Sequence, residues 1–501
     1  MTDWLLSLLA LAGLILGLLL LSYLGYVHYI HLKFDHIPGP PRDSFLMGHA
    51  YSLKENMEGY KNRHDKILQW AETYGPLFRI NVFHQIALFA ISPEAIKEYM
   101  MSPKYPKDPK TYNTLFNLFG KRFLGKGLLT DPDHDHWYKQ RKINEPLPSA
   151  KLYLMDMMGV FNEKAEHLME RLEEKADGIQ EVGFHAIINR LTLDVICKVA
   201  FGMELNLLDE NQSPFPHAIA MVLKAWFSPF RYLFIQYMPQ HRKFIWEVQE
   251  SVELLRKTGK ECIQKRKQAI QSREEVPQDI LTKILQSAEQ EGDYDDELML
   301  DNFITFFIAG QETTANQLAF TIMRNSRGQP EITAKLRAEV DEVIGLKRDI
   351  SFDDLGKLRY VTQVLKESLR MYPPAPGTSR YVAEDAVIEG IKVPGGVPLI
   401  FNTFVMGRMD KFFKDPYTFD PERFSPTATK PDHFYFPFAL GPRSCLGQVF
   451  SQMEAKVVLV KLLQRFEFNL VPEQSYEIMD LGTLRPRDGV VCTVTPRADS
   501  L

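Results

Sequence analysis

The chain has 501 residues, 45% of them hydrophobic and 25% charged, with a formal net charge of −5. That composition suits a large buried core, excludes an intrinsically disordered chain, and leaves no overall basic footprint for a nucleic-acid partner. Four scattered cysteines, Cys197, Cys262, Cys445 and Cys492, contain no C-x-x-C pair, so they speak against a disulfide framework and against a zinc or iron–sulfur site, and suit a reducing compartment.

Residues Trp4 to Val27 carry no charge and are mostly leucine. As a helix the run spans roughly 36 Å, enough to cross a bilayer core. A signal peptide fits less well: Asp3 precedes the run without any Lys or Arg, the run is too long, and no small-x-small cleavage site ends it. His28, His31, Lys33 and Arg42 follow, which places the bulk of the chain on the cytosolic side. The acceptor pattern Asn211-Gln212-Ser213 is then expected to stay unmodified. Pro38-Gly39-Pro40-Pro41 is a stiff, extended break. No Gly/Ser-rich linker or repeat follows, so the expected organisation is a membrane anchor over 1–33, a proline-rich hinge over 34–45 and one catalytic domain over 46–501.

Leu77 to Ile91 alternates and is rich in β-branched and aromatic residues, which predicts a strand pair. Tyr381 to Phe404, broken by Pro394-Gly395-Gly396, predicts a second small sheet. Helical periodicity runs through Leu152–Lys175, Ile187–Phe201, Arg242–Ser272, Leu298–Arg324, Pro330–Ile344, Val361–Met371 and Gln448–Phe466. Residues 214–239 are aromatic: Phe215, Trp226, Phe227, Phe230, Tyr232, Phe234 and Tyr237 fit either core packing or a lid over an apolar pocket at the membrane surface. The charged stretch Glu250 to Glu297 reads as a solvated face and loop.

Four constellations carry chemistry. Phe436 to Gly447 sets Cys445 between glycines, two residues after Arg443 and just before a helix start. Free N–H groups and the positive end of the helix dipole favour a thiolate there. A lone thiolate suits a haem iron, whose porphyrin supplies the equatorial bonds; a nucleophile and an inert cysteine are the competing readings. Trp137 and Arg141 share a helix face and could both donate to a carboxylate, or simply stack at the surface. Phe306 to Thr314 places Gly310, Glu312, Thr313 and Thr314 inside an apolar helix, where Gly alone costs about 1 kcal/mol relative to Ala. A threonine bonded to its i−4 carbonyl would open a groove with a hydroxyl and a carboxyl in it; a kink with structural water is the plainer reading. Glu367 and Arg370 share a face, with Arg423 about fifty residues on.

The pattern F-x-x-G-x-R-x-C-x-G, carried by Phe438, Gly441, Arg443, Cys445 and Gly447, resembles the signature of the haem-thiolate monooxygenases, the cytochrome P-450 superfamily. The other constellations occur in that family's order between residues 38 and 447. The resemblance implies a mainly α fold with small β-sheets, preceded by one transmembrane helix. It implies haem b with Cys445 as axial ligand and Phe438 against the cofactor, and Trp137, Arg141, Arg443 and Arg380 at the propionates. Thr313 and Glu312 would handle protons for O2, with Glu where Asp is commoner. Glu367, Arg370 and Arg423 would form a buried structural network behind the cysteine loop. Phe306, Ala309 and Pro376 would line the substrate pocket. The chain has no G-x-G-x-x-G, so electrons from NADPH are expected through a flavoprotein reductase of the endoplasmic reticulum membrane, with Lys139 and Lys142 as docking residues.

Within the superfamily, Thr305–Gly310, Leu336–Gly345, Val364–Pro374, Val405–Asp410, Phe161–Glu166 and Lys456–Phe468 look like the cholesterol 24-hydroxylases, and the chain departs from them at Met323–Gly328 and Pro376. The implied reaction is hydroxylation of a sterol, cholesterol at its side chain. Another lipid, a steroid or a foreign compound is the alternative; a haem-thiolate isomerase and a non-catalytic sterol-binding haem protein stand behind it.

Overall fold

The computed structural model of the chain describes residues 2–53, 62–144, 151–209, 213–227, 238–291, 295–326, 329–429 and 433–498. The acceptor Asn211-Gln212, the aromatic residues Phe230, Tyr232, Phe234 and Tyr237, and Arg327-Gly328 lie outside the described residues.

The apolar run forms one unbroken helix, α1 (Thr2–Phe34), longer than the sequence reading by about two turns. Its leucines face outward and it is long and apolar enough to cross a membrane. Its last turns are different. Val27, His31 and Phe34 are buried, and Tyr23 bonds His84 across 3.1 Å. The proline segment that follows is tied down: Arg79 N donates to Pro38 O at 2.8 Å, and His49 Nε2 lies 2.9 Å from Pro40 O. Gly39 is obligatory, because a Cβ would sit 2.6 Å from Arg79 O.

After α2 (Arg63–Tyr74), β1 (Leu77–Val82) and β2 (Gln85–Ala90) form the expected hairpin. Helices α3 (Pro109–Phe116), α4 (His134–Asn144) and α5 (Lys151–Glu173) follow, then the short strand β3 (Glu181–Gly183). Next come α6 (Phe184–Phe201), α7 (Phe215–Phe227), α8 (Arg242–Gln271) and α9 (Asp296–Asn325). The chain continues through α10 (Pro330–Val343) and α11 (Arg359–Met371).

Strands β4 (Gly377–Val382), β5 (Ala386–Ile388), β6 (Ile391–Val393) and β7 (Val397–Asn402) correct the expectation of a separate second sheet. β7 pairs parallel with β2 and antiparallel with β4, so they complete one four-stranded sheet in the order β1-β2-β7-β4. Only β5 and β6 stand apart as a hairpin. Leu88 and Leu399, paired across β2 and β7, are both fully buried; pairing with β2 buries β7 against the core. Helix α12 (Gln448–Arg465) leads to β8 (Phe466–Leu470), the hairpin β9 (Ile478–Asp480) and β10 (Leu484–Pro486), and β11 (Val491–Pro496).

Helix α9 is the axis of the core. Most of its residues are buried, and polar side chains such as Asp301, Gln311, Glu312, Asn316 and Gln317 are buried along it among the apolar ones, so it is covered on nearly every side. Gly310 has a packing reason that the sequence did not reveal. A Cβ there would lie 2.5 Å from the Ile196 side chain, so the glycine lets α6 approach α9 without interrupting the helix. Phe215 of α7 meets Phe307 edge-on at 5.6 Å, which places the first residue of the aromatic stretch in core packing.

Candidate haem-binding site

The loop before α12 is shaped by backbone. Cys445 N donates to Phe438 O at 2.8 Å and Ser444 N to Gly441 O at 3.0 Å, closing two turns around the cysteine. Ala439 and Gly441 both have positive φ, 56° and 73°, and a Cβ on Gly441 would fall 2.6 Å from Met100 O. Arg141 Nη1 of α4 donates to Ser444 O at 2.8 Å, pinning the residue beside the cysteine. Arg423 and Arg370 hold the rear of the loop region through Glu367, which is fully buried and lies 2.7 Å from Arg370 and 3.4 Å from Arg423.

Cys445 is solvent-accessible, whereas Cys197 and Cys492 are buried. Desolvation pushes the Cys445 thiol up, outweighing the Gly447 N–H and Arg141 that pull it down. A thiolate there needs a further cation, which a bound metal supplies.

Helix α9 presents one accessible strip in an otherwise buried element. Phe306, Ala309, Gly310 and Thr313, at i, i+3, i+4 and i+7, are all at least partly open. Thr313 Oγ1 donates to Ala309 O at 2.9 Å, the i−4 bond expected for it. Glu312 beside it is 6% exposed, and burial pushes its carboxyl up. The helices that carry the two motifs are bonded to each other: Gln452 of α12 donates to Gln317 of α9 at 3.0 Å, four residues past Thr313. Pro376 is buried, and its carbonyl accepts from Phe404 N at 3.3 Å, which ties it to the sheet side.

Trp137 and Arg141 do share a face, but the contacts present are to the cysteine loop. The Arg443 guanidinium stacks on the Trp137 ring at 3.8 Å, and Arg443 Nη1 donates to Asp131 O at 2.8 Å. Arg380 is 1% exposed and bonds only carbonyls and a hydroxyl, the best being Ser379 O at 3.0 Å. Lys107, 6% exposed, was not singled out by sequence reasoning. Its Nζ donates to Tyr112 Oη at 2.8 Å and to Thr378 Oγ1 at 3.0 Å. The one local signal was a lysine fixed between Pro106 and Pro109 just before α3.

Arg380, Arg443 and Lys107 make no salt bridge among the described residues. Arg380 Nε and Arg443 Nη2 are buried without a hydrogen-bond partner there. Burial and then Arg380 press Arg443 down to about 9; burial lowers Lys107 as well, with Arg380 and Arg443 adding to it. Cations crowded together without a salt-bridge partner are costly unless an anion completes them. These orphaned donors fit the two carboxylates of a haem, with the accessible sulfur of Cys445 as the metal ligand.

The cytochrome P450 family profile matches residues 38–493. The chain belongs to the cytochrome P450 family. Cytochrome P450 4d2 of Drosophila melanogaster is 29% identical over 85% of this chain and 87% of its own length. Human Cytochrome P450 4B1 is 28% identical over 94% of each chain. Protein LUTEIN DEFICIENT 5, chloroplastic, of Arabidopsis thaliana is 28% identical over 86% of this chain and 73% of its own. As a P450 the protein is a monooxygenase that uses haem-thiolate iron and O2.

Proposed function

We propose that this P450 is a single-pass protein of the endoplasmic reticulum membrane, anchored by residues 1–33, stiffened by 34–45 and catalytic over 46–501. Its reaction would insert one oxygen atom of O2 into an apolar lipid. The finer reading is a sterol, hydroxylated on the cholesterol side chain. None of the three relatives' names mentions a sterol, so this reading draws its support from the chain's own stretches, Thr305–Gly310 and Leu336–Gly345 among them.

The observation that carries the reaction class is the accessible sulfur of Cys445 beside orphaned cationic donors, with Thr313 open on the helix bonded to α12. The haem, when bound, supplies activation of O2 and the oxidation itself. The chain's own residues would do the rest. Cys445 would hold the iron. Arg380, Arg443 and Lys107 would receive the propionates, with Trp137 and Arg141 bracing Arg443 and the loop. Phe438 would lie against the ring. Phe306 and Ala309 would keep water from the substrate's reacting carbon. Thr313 would hold a water or the oxygen in place, and Glu312 would carry the proton to it. Electrons would come from NADPH through a flavoprotein reductase, docking near the exposed Lys139.

Incubation with reductase, NADPH and cholesterol, read by sterol mass spectrometry, tests the substrate. A hydroxycholesterol product is expected; turnover of other lipids without it would replace the sterol reading. Cys445→Ser is expected to abolish the red-shifted carbon monoxide Soret band, and a retained band would remove Cys445 as ligand. Thr313→Ala is expected to keep the band while product per NADPH falls and peroxide rises.

A further inference from the structure

Glu312 is held from one side. Its Oε1 accepts a 2.8 Å hydrogen bond from Thr483 Oγ1, whereas Oε2 is buried without a hydrogen-bond partner of acceptable geometry among the described residues. Thr483 comes from far away in sequence, in the turn between β9 and β10. That turn is fixed independently of Glu312. Gly482, at φ 98°, donates its N–H to Asp480 Oδ1 at 3.1 Å; Asp480 is gripped by Arg63 at 2.7 Å and His64 at 3.3 Å; Leu484 N donates to Pro374 O at 2.8 Å. The hydroxyl is therefore delivered by a rigid support rather than by a loop that follows the carboxyl.

A second line of contacts fixes the direction of the bond. Asn316, one helical turn past Glu312 and fully buried, donates from Nδ2 to Thr483 Oγ1 at 3.2 Å. Its Oδ1 lies 2.7 Å from Nε2 of His185, at the start of α6. The same Nε2 lies 2.9 Å from Asn189 Nδ2, so the ring sits between an amide oxygen and an amide nitrogen, and burial pushes it down to about 4. With Asn316 Nδ2 donating to it, the Thr483 oxygen receives one hydrogen and gives its own proton to Glu312 Oε1. Oε1 is then an acceptor. A neutral Glu312 must carry its proton on Oε2.

We propose that Thr483 is the positioning residue of Glu312: its hydroxyl, oriented by Asn316, keeps Oε1 as the carbonyl oxygen so that Oε2 bears the transferable proton. This rests on the reading of Glu312 as proton carrier given above, and deepens it. The sequence alone could not place Thr483, which lies 171 residues from Glu312 and in no pattern with it.

The test is infrared spectroscopy of the full-length ferric protein, followed by coupling measurements. The carboxylic C=O stretch of Glu312 is assigned as the band lost in Glu312→Gln. Loss of the hydrogen bond to Oε1 in Thr483→Val is expected to move that band to higher wavenumber, and Thr483→Ser to restore it. Product per NADPH is expected to fall about fivefold in Thr483→Val, the worth of one hydrogen bond, and to recover in Thr483→Ser. Thr483→Ala serves in place of the valine variant if that fails to keep the carbon monoxide band. A Glu312 band that stays put in Thr483→Val, or the absence of any Glu312 carboxyl band in the unmodified protein, overturns the proposal. Unchanged coupling in Glu312→Gln instead overturns the proton role of Glu312 and leaves the infrared result to stand or fall by itself.

Discussion

Arg370 grips Glu367 with a fork: Nε lies 2.7 Å from Oε2 and Nη2 2.7 Å from Oε1, and neither side chain is accessible at all. The remaining valences are also used. Glu367 Oε1 accepts from Asp420 N at 2.8 Å, and Arg370 Nη1 donates to Pro416 O at 2.8 Å. The pair thus fastens α11 to the chain segment that leads into the cysteine loop. Glu367→Ala is expected to cost about 3–5 kcal/mol, because it strands a buried guanidinium rather than merely deleting a contact. Haem content and the carbon monoxide band should be lost together, and Glu367→Gln should not rescue them. An exposed pair at the same i, i+3 spacing would lose less than about 1 kcal/mol, so a mild phenotype would show that the burial does not matter.

The crowded cations predict a second effect. Arg443 stacks on Trp137 and keeps Nη2 unpaired, an arrangement that only an anion completes. Arg443→Leu is expected to speed haem loss to an excess of apomyoglobin at least tenfold, the worth of one charge-assisted hydrogen bond. Arg443→Lys should lie in between, because it keeps the charge but loses the planar stack. Lys107→Met should show a smaller increase, and no increase at all would remove Lys107 from the cradle.

Much of this site was legible because its chemistry is local. A cysteine loop must be glycine-rich, so Gly441 and Gly447 announced it, and the Glu367–Arg370 spacing fits one helix face. Long-range packing was not legible. Nothing near Gly310 names Ile196, nothing near Val397–Asn402 names β2 as its partner, and Lys107 gains its meaning only when the fold brings Arg380 and Arg443 beside it.

Helix α1 should divide into two parts under truncation. Residues Trp4 to Leu21 expose their side chains, while Val27, His31 and Phe34 are buried against the rest of the chain. Removal of residues 2–21 is expected to release the protein from membranes with its unfolding midpoint unchanged. Removal of residues 2–36 deletes the buried turn as well, and the loss of Phe34 and Val27 alone is expected to cost about 3 kcal/mol or more. Denaturant unfolding of both forms in detergent checks this, and equal midpoints would mean that the last turns of α1 contribute nothing to the fold.

Glu454, on the helix that follows the cysteine loop, is fully buried, and neither carboxyl oxygen has a hydrogen-bond partner among the described residues. Desolvation pushes it well above the usual carboxylate range, so the folded protein holds it neutral while the unfolded chain ionises it above about pH 4.3. Folding therefore takes up a proton at this position, and the sign follows: stability is greatest below the unfolded value and declines as pH rises toward the folded one. Glu454→Gln has no proton to gain. The variant is expected to be more stable than the unmodified protein near pH 8, by about 1 kcal/mol, with the gap closing as pH falls toward 5. Thermal unfolding of the haem-loaded protein at pH 5.5, 7 and 8 measures the slope, and a variant destabilised equally at all three values would show that Glu454 is ionised and paired in the native protein.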